Sequence, residues 1–471
     1  MTTAGRQPST EEHRVGDRTS EEDTLVEGEP RAPFFPEAPT TIDETGMPNA
    51  FLLDHAIRIL YQATELTGYE IAERMALPFY GVVAPLLETL RHDHEIEVKS
   101  QRGIGDAGYL YGIVERGINH AHAAAERLNY LGPTPVPVSK YVESVLAQSV
   151  RGVVVTQENI RRAFADLILK DDILDMIGPA VNSGASLFLF GFPGNGKTAI
   201  AERITKLMGD RIFIPHAVEA DGAVITVFDA VNHTPAEDVD ASGQPVKATW
   251  DARWVRIERP IVMVGGELTM PSLDLRFNPV GKYYEAPLQM KANGGMFLID
   301  DFGRQMIRPQ DLLNRWIVPL EKRIDFLNLL TGKKLAIPFE ELIVFSTNLD
   351  PADLVDEAFL RRIKFKINVV DPDEEQFHTI FRMVCRQRGI EFDEHAFEYL
   401  LNAWYRPARG QPLRMCHPRD IVDQLIAIAK YRMVKPELSR ELLDAACGSY
   451  FVTVSGPRVG RPAVTVRPVA A

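Results

Sequence analysis

Gly191-Phe192-Pro193-Gly194-Asn195-Gly196-Lys197-Thr198 is the stretch on which the reading of this chain turns. It fits G-x-x-x-x-G-K-[ST], the phosphate-binding loop. Glycines let the backbone N–H groups curl around phosphate oxygens. A lysine at this position reaches β- and γ-phosphates, and a following hydroxyl ligates Mg²⁺. The flanks agree. Ser186-Leu187-Phe188-Leu189-Phe190 reads as a short buried strand, and Ala199-Ile200-Ala201-Glu202-Arg203-Ile204 as a helix. Strand–loop–helix adds a helix dipole to the anion site. Gly191, Pro193, Gly194, Asn195, Gly196, Lys197, Thr198 and Ala199 are therefore the expected phosphate cradle.

The 471 residues are enough for two or three domains, and the 45% apolar content is ordinary for a globular protein. No apolar run is long enough to span a membrane. The polar, acidic N-terminus has no signal-peptide core, which predicts a cytoplasmic protein. Cys385, Cys416 and Cys447 lie far apart and read as free buried thiols. The net charge of −13 is unevenly placed: residues 1–45 hold 4 Arg against 11 Asp/Glu, and residues 46–125 hold 6 Lys/Arg against 10 Asp/Glu. The acidity thus belongs to the N-terminal quarter and limits its partners.

In chain order, residues 1–45 are expected to be a disordered acidic tail, in which Pro33-Phe34-Phe35-Pro36 is the one sticky spot. Residues 46–125 read as a separate α+β domain resembling a winged helix. A helix from Phe51 to Leu66 is followed by a short helix from Tyr69 to Met75 and a third ending near Arg91. A hairpin then closes through Tyr111 to Gly117. The third helix begins Pro78-Phe79-Tyr80-Gly81-Val82-Val83 and offers none of the usual readers of base edges. With an acidic surface as well, a protein contact is favoured over nucleic acid. Residues 126–150 read as a stiff Pro-rich linker and a helix. Residues 151–372 alternate apolar strands with helices, which predicts a parallel sheet in a three-layer α/β core. Within them, residues 215–290 read as a β-rich insertion, with Ile261-Val262-Met263-Val264 among its strands and Gly281-Lys282-Tyr283-Tyr284 as an exposed loop. Residues 373–450 carry helical periodicity, and residues 451–471 read as a disordered tail.

Four further segments carry chemistry. Met296-Phe297-Leu298-Ile299 is a buried strand that delivers Asp300 and Asp301 to its C-terminal end. Asp300 there suits a water-bridged Mg²⁺, and Asp301 a general base for an attacking water. Leu342 to Thr347 is a second such strand, ending at Asn348, which is placed to orient that water. Arg361 and Arg362 end a helix, where a rigid arginine can act on a neighbouring subunit's γ-phosphate. Cys416-His417-Pro418-Arg419 opens another helix, from which Arg419 can reach a nucleotide.

Together these resemble the AAA+ ATPase superfamily over roughly residues 150–450, in a MoxR-like or related branch. The family order is Walker A (191–198), Walker B (296–301), sensor 1 (Asn348), arginine finger (Arg361 or Arg362) and sensor 2 (Arg419), the last within a helical lid that follows Asp371-Pro372. The resemblance implies a P-loop NTPase core using ATP and Mg²⁺, with Thr198 and Asp300 at the metal. It implies a homo-oligomeric, often hexameric, ring that remodels a macromolecule, here a protein engaged through the N-terminal domain. Walker B usually ends Asp-Glu; Asp300-Asp301 is one methylene shorter and predicts slow turnover. The segment from Leu320 to Glu341 resembles the hairpin inserted before the sensor strand in several branches. A DNA-transaction ATPase and an ATP-bound switch with little hydrolysis are the competing readings.

Overall fold

The computed structural model describes residues 34–209, 211–236, 249–355, 357–406 and 411–451. Residues 1–33 of the expected acidic tail, residues 237–248 of the expected insertion and residues 452–471 of the expected C-terminal tail lie outside them.

Five strands form a parallel sheet in the order Ile261–Val264, Met296–Ile299, Leu342–Thr347, Leu187–Phe190, Phe365–Asn368. Successive side chains of a strand point to opposite faces, and here both faces are apolar. Leu187, Leu189, Met296, Leu298, Leu342 and Val344 face the helices Gln157–Ala163, Asp171–Ser183 and Lys197–Leu207. Phe188, Phe297, Ile299, Ile343 and Phe345 face Leu312, Leu313, Trp316 and Phe359 on the other side. A sheet covered on both faces is what near-continuous apolar strands require. The core is a three-layer α/β phosphate-loop fold. The strand Leu342–Thr347 sits between the loop's strand and the strand carrying Asp300, and that order decides the site.

After Pro372 the helices Glu374–Arg388, Glu394–Leu400, His417–Tyr431 and Arg440–Tyr450 close on their own core of Phe377, Phe381, Leu425 and Leu443, forming the C-terminal helical lid. Asp373 and Gln376 make a reciprocal capping box at its first helix.

Several expectations change. Ile261–Val264 is not part of a side insertion: it is the outer strand of the core, paired in parallel with Met296–Ile299. Four apolar residues alone do not say which sheet a strand joins. Ile212–Pro215 goes the other way, pairing antiparallel with Trp254–Ile257 outside the core. A separate sheet is built from Arg276–Asn278, Tyr283–Glu285, Ala223–Thr226, Ala217–Ala220 and Val136–Pro137. Its last member belongs to the stretch read as a stiff Pro-rich linker, fixed there by the register Val136↔Val218. Tyr284 is buried in this sheet, and Tyr283 packs edge-on to Tyr130 at 5.6 Å, so within the Gly281–Tyr284 stretch only Lys282 is exposed. Residues 34–45 are packed as well. Phe34 lies 5.2 Å from Trp254, and the Arg253 guanidinium donates to the Thr45 carbonyl at 2.8 Å. An aromatic in a polar tail found an aromatic surface that no local pattern announces.

In the N-terminal module the helices Asn49–Ala63, Gly68–Met75 and Ala84–His92 pack on a sheet ordered Glu65–Thr67, Tyr109–Ile113, Ile96–Gln101. The first helix stops earlier than expected, at Thr64 with φ 71°, and the freed residues become an edge strand. The third helix starts later, because Gly81 has φ 83° and a Cβ there would lie 2.1 Å from the Thr40 carbonyl oxygen. The closing strand ends at Ile113, and a further helix, Glu115–Arg127, follows. Among the described residues no helix is long and apolar enough to cross a membrane.

Candidate functional site

The C-terminal ends of the three central strands meet over the loop. Lys197, 7% exposed, donates to Asn348 Oδ1 at 2.7 Å and to the carbonyls of Gly191 and Phe192, both at 3.0 Å. The Asn348 amide donates in turn to Asp301 Oδ1 at 2.8 Å. Thr198 Oγ1 donates to Asp300 Oδ2 at 3.0 Å. The middle position of the Leu342–Thr347 strand makes Asn348 the bridge between the loop and the acidic strand end. Burial pushes the Lys197 ammonium below its ordinary pKa, and Asp300 and Asp301 oppose that shift.

The two acids diverge because the chain turns sharply between them. Asp301 sits in the left-handed region at φ 50°, a conformation costing about 1–2 kcal/mol for most L-residues and eased for aspartate. The turn is held from both sides: Gln305 Nε2 donates to the Asp300 carbonyl at 2.8 Å, and Thr347 Oγ1 to the Phe302 carbonyl at 2.7 Å. Asp300 therefore faces Thr198 and Asp301 faces Asn348. Two hard oxygen donors at Thr198 and Asp300 fit a Mg²⁺ that keeps much of its water.

A cavity of about 480 Å³ opens between the loop and the lid. Pro193, Gly194, Asn195, Gly196, Lys197, Thr198 and Ala199 line it together with Asp300, Asp301 and Asn348. Its far wall is apolar and comes from segments the motifs do not contain: Leu167, Ile168 and Leu169 before the core, and Ile380, Met383 and Met415 from the lid. A polar floor with an apolar wall suits a ligand with phosphates at one end and a flat ring at the other. The one available signal for the wall is the apolar face of the Glu374–Arg388 helix, which is equally a signal for a lid core.

The arginines are placed differently. Arg419 lines the cavity rim, but its Nε donates to Asp420 at 3.1 Å and its side chain is 63% exposed. Arg361 pairs with Glu357 at 2.7 Å and Arg362 with Glu321 at 2.6 Å. Neither is among the residues lining this cleft. Arg323, within the Leu320–Glu341 segment, is turned inward and donates to the Phe339, Glu341 and Gly184 carbonyls. Lys333 at the hairpin turn pairs with Asp221 of the side sheet. Cys385 and Cys447 are buried as expected, whereas Cys416 is only half-buried and lines the cleft.

Residues 373–449, the lid, match the family described as Domain of unknown function (DUF8689). No curated protein matches the chain. Among solved structures the chain is similar to NtrX from Brucella abortus, at 15% identity over 71% of this chain and 62% of that one, with a TM-score of 0.36. An ADP complex of the same protein gives 15%, 74%, 69% and 0.38. The Holliday junction branch migration motor RuvB of Thermotoga maritima gives 12%, 60%, 70% and 0.35. A complex of the magnesium chelatase subunits BchI and BchD gives 14%, 61%, 94% and 0.32. The chain thus spans less than two thirds of the first NtrX chain.

Proposed function

We propose that the chain binds ATP in this cleft and hydrolyses it slowly, as an AAA+-type ATPase of a MoxR-like or related branch. One observation carries the reading: three separate segments converge so that Lys197, Asn348 and Asp301 form one hydrogen-bonded row beside the Thr198–Asp300 pair. The loop backbone and Lys197 hold the phosphates. Thr198 and Asp300 hold Mg²⁺, which when bound would neutralise charge on the phosphate oxygens. Asp301 takes the proton of the attacking water and Asn348 fixes that water's position. Asp301 is shorter than a glutamate and held by Asn348, which favours a low rate. The adenine ring occupies the apolar wall made by Leu167 to Leu169 and Met383.

Arg361 and Arg362, outside their own cleft, serve the cleft of an adjacent copy, which requires a homo-oligomeric ring. The N-terminal module, winged-helix-like in its helices and hairpin, engages a protein. Tyr80, just before its third helix, and Ile104, at the hairpin tip, are exposed where a DNA reader would carry basic groups. The test is phosphate release from Mg·ATP by the full chain, alone, with duplex DNA and with candidate protein partners, alongside sedimentation with a slowly hydrolysed analogue. Turnover and ATP-dependent assembly support the reading. Stimulation by DNA that weakens with salt would replace the protein partner with nucleic acid. No ATP binding at millimolar concentration would refute it.

A further inference from the structure

Asp371 is the last residue but one before the lid's first helix cap, and three parts of the molecule meet on its carboxylate. The Asn195 amide, from the middle of the phosphate loop and fully buried, donates to Asp371 Oδ1 at 2.7 Å. The Arg414 guanidinium, from the lid, pairs with the same oxygen. Two backbone N–H donors close the seam around them: Cys416 N–H to the Gly194 carbonyl at 2.9 Å and Met415 N–H to the Asn195 side-chain Oδ1 at 3.4 Å. Gly194 is tight enough that a Cβ there would lie 2.5 Å from Cys416 Sγ. On its other side the Arg414 guanidinium lies over the Phe192 ring at 4.3 Å. Phe192 is also the residue whose carbonyl accepts from Lys197.

From this geometry we infer that Asp371 and Arg414 are positioning residues that tie the lid to the occupancy of the phosphate loop. The inference rests on the nucleotide reading of the cleft. A phosphate that draws Lys197 away from the Phe192 carbonyl changes the loop residue on which Arg414 lies. The Asp371 carboxylate, anchored to Asn195, fixes where Arg414 and the lid helix after it can settle. Arg419, the arginine singled out by position, has no part in this seam: its partner is Asp420, and its own side chain is exposed. Asp371 touches no reacting atom. Its effect passes through the lid wall that holds the base.

The experiment measures ATP affinity by calorimetry and steady-state turnover for full-length Asp371→Asn, Arg414→Ala, Arg414→Lys and the Asp371→Asn/Arg414→Ala double variant. Melting curves without nucleotide check folding. Asp371→Asn keeps an acceptor for the Asn195 amide while removing the charge. The expected result is a Kd for ATP raised about five- to tenfold in Asp371→Asn and in Arg414→Ala, within the usual span of coupling between sites. The double variant should be no weaker than the worse single, Arg414→Lys should restore part of the loss, and kcat at saturating ATP should stay within about twofold of wild type. Losses that multiply in the double variant, or a fall in kcat at unchanged Kd, would overturn the inference. So would normal ATP affinity in the variants beside a wild type that binds ATP, and that outcome leaves the nucleotide reading standing. A wild type that does not bind ATP removes both.

Discussion

The two walls of the cleft are built on opposite plans. The strand wall is a row of side chains at the ends of hydrogen-bonded parallel strands, each fixed by register to its neighbour. Its polar groups already satisfy one another: Lys197 to Asn348, Asn348 to Asp301, Thr198 to Asp300. The lid wall is apolar where it faces the cavity and rests on the loop through a few polar contacts around Asp371. On the proposed ATPase reading, the difference separates chemistry from grip. A charge lost from the strand wall leaves its partners unmatched in a partly buried site, so its effect is large and falls on binding or on rate. A change in the lid wall alters how well a ligand is covered, so its effect is smaller and falls on affinity.

The largest effect therefore belongs to Lys197→Ala. Charge-assisted hydrogen bonds contribute about 1.5–3 kcal/mol each, and Lys197 already makes three hydrogen bonds with no ligand present. Losing its share of the phosphate contacts should raise the Kd for ATP by at least about a hundredfold, read by calorimetry. A loss under tenfold would mean that the backbone alone holds the phosphates. Next comes Asp301→Asn. The amide preserves size and keeps a contact with Asn348 but cannot take a proton. Single-turnover measurements should show kcat reduced about 10²- to 10³-fold with ATP affinity within about threefold of wild type. Unchanged turnover would remove Asp301 from the reaction and move the search for a base to the neighbouring copy.

The same contrast explains what could be read in advance. The strand wall was legible because each of its members is local: Lys197 and Thr198 end a glycine-rich loop, Asp300 and Asn348 each follow an apolar strand, and physics places all of them at a sheet edge. Asn348's bridging position between Lys197 and Asp301 was only half legible. It depends on strand order, and periodicity does not state which strand lies beside which. The lid wall had only the apolar face of the Glu374–Arg388 helix to announce it, and that face equally signals a lid core. Leu167 to Leu169, Met383 and Met415 are ordinary apolar residues drawn from three distant segments, and Asn195 meets Asp371 across 176 positions of chain. The same nonlocality hid the packing of Phe34 against Trp254 and the place of Ile261–Val264 in the core sheet. The left-handed turn at Asp301 was hidden for another reason. Aspartate tolerates that conformation without requiring it, so no residue type announces it.

Met383→Asp probes the lid wall directly. It places a carboxylate in the apolar surface that receives the adenine ring, across the cavity from the loop. The Kd for ATP should rise about tenfold, with kcat at saturation nearly unchanged. A comparable fall in kcat would mean that the lid also orders the strand ends, and the two walls would then be one functional unit.

Arg419→Ala should have the smallest effect, and it is the sharpest test of the contrast. Its guanidinium is spent on Asp420 at the solvent edge, and an exposed pair of this kind contributes about 0–1 kcal/mol. Affinity and turnover should both stay within about threefold of wild type, measured beside Met383→Asp under the same conditions. A drop in kcat of tenfold or more would show that Arg419 leaves Asp420 in the working state and reaches the phosphates. Removing Asp420's negative charge would then ease that departure, so Asp420→Asn should raise turnover where Arg419→Ala lowers it. If both variants are silent, covering the ligand is the lid's whole contribution, and every charge that acts on the phosphates from within one chain belongs to the strand wall.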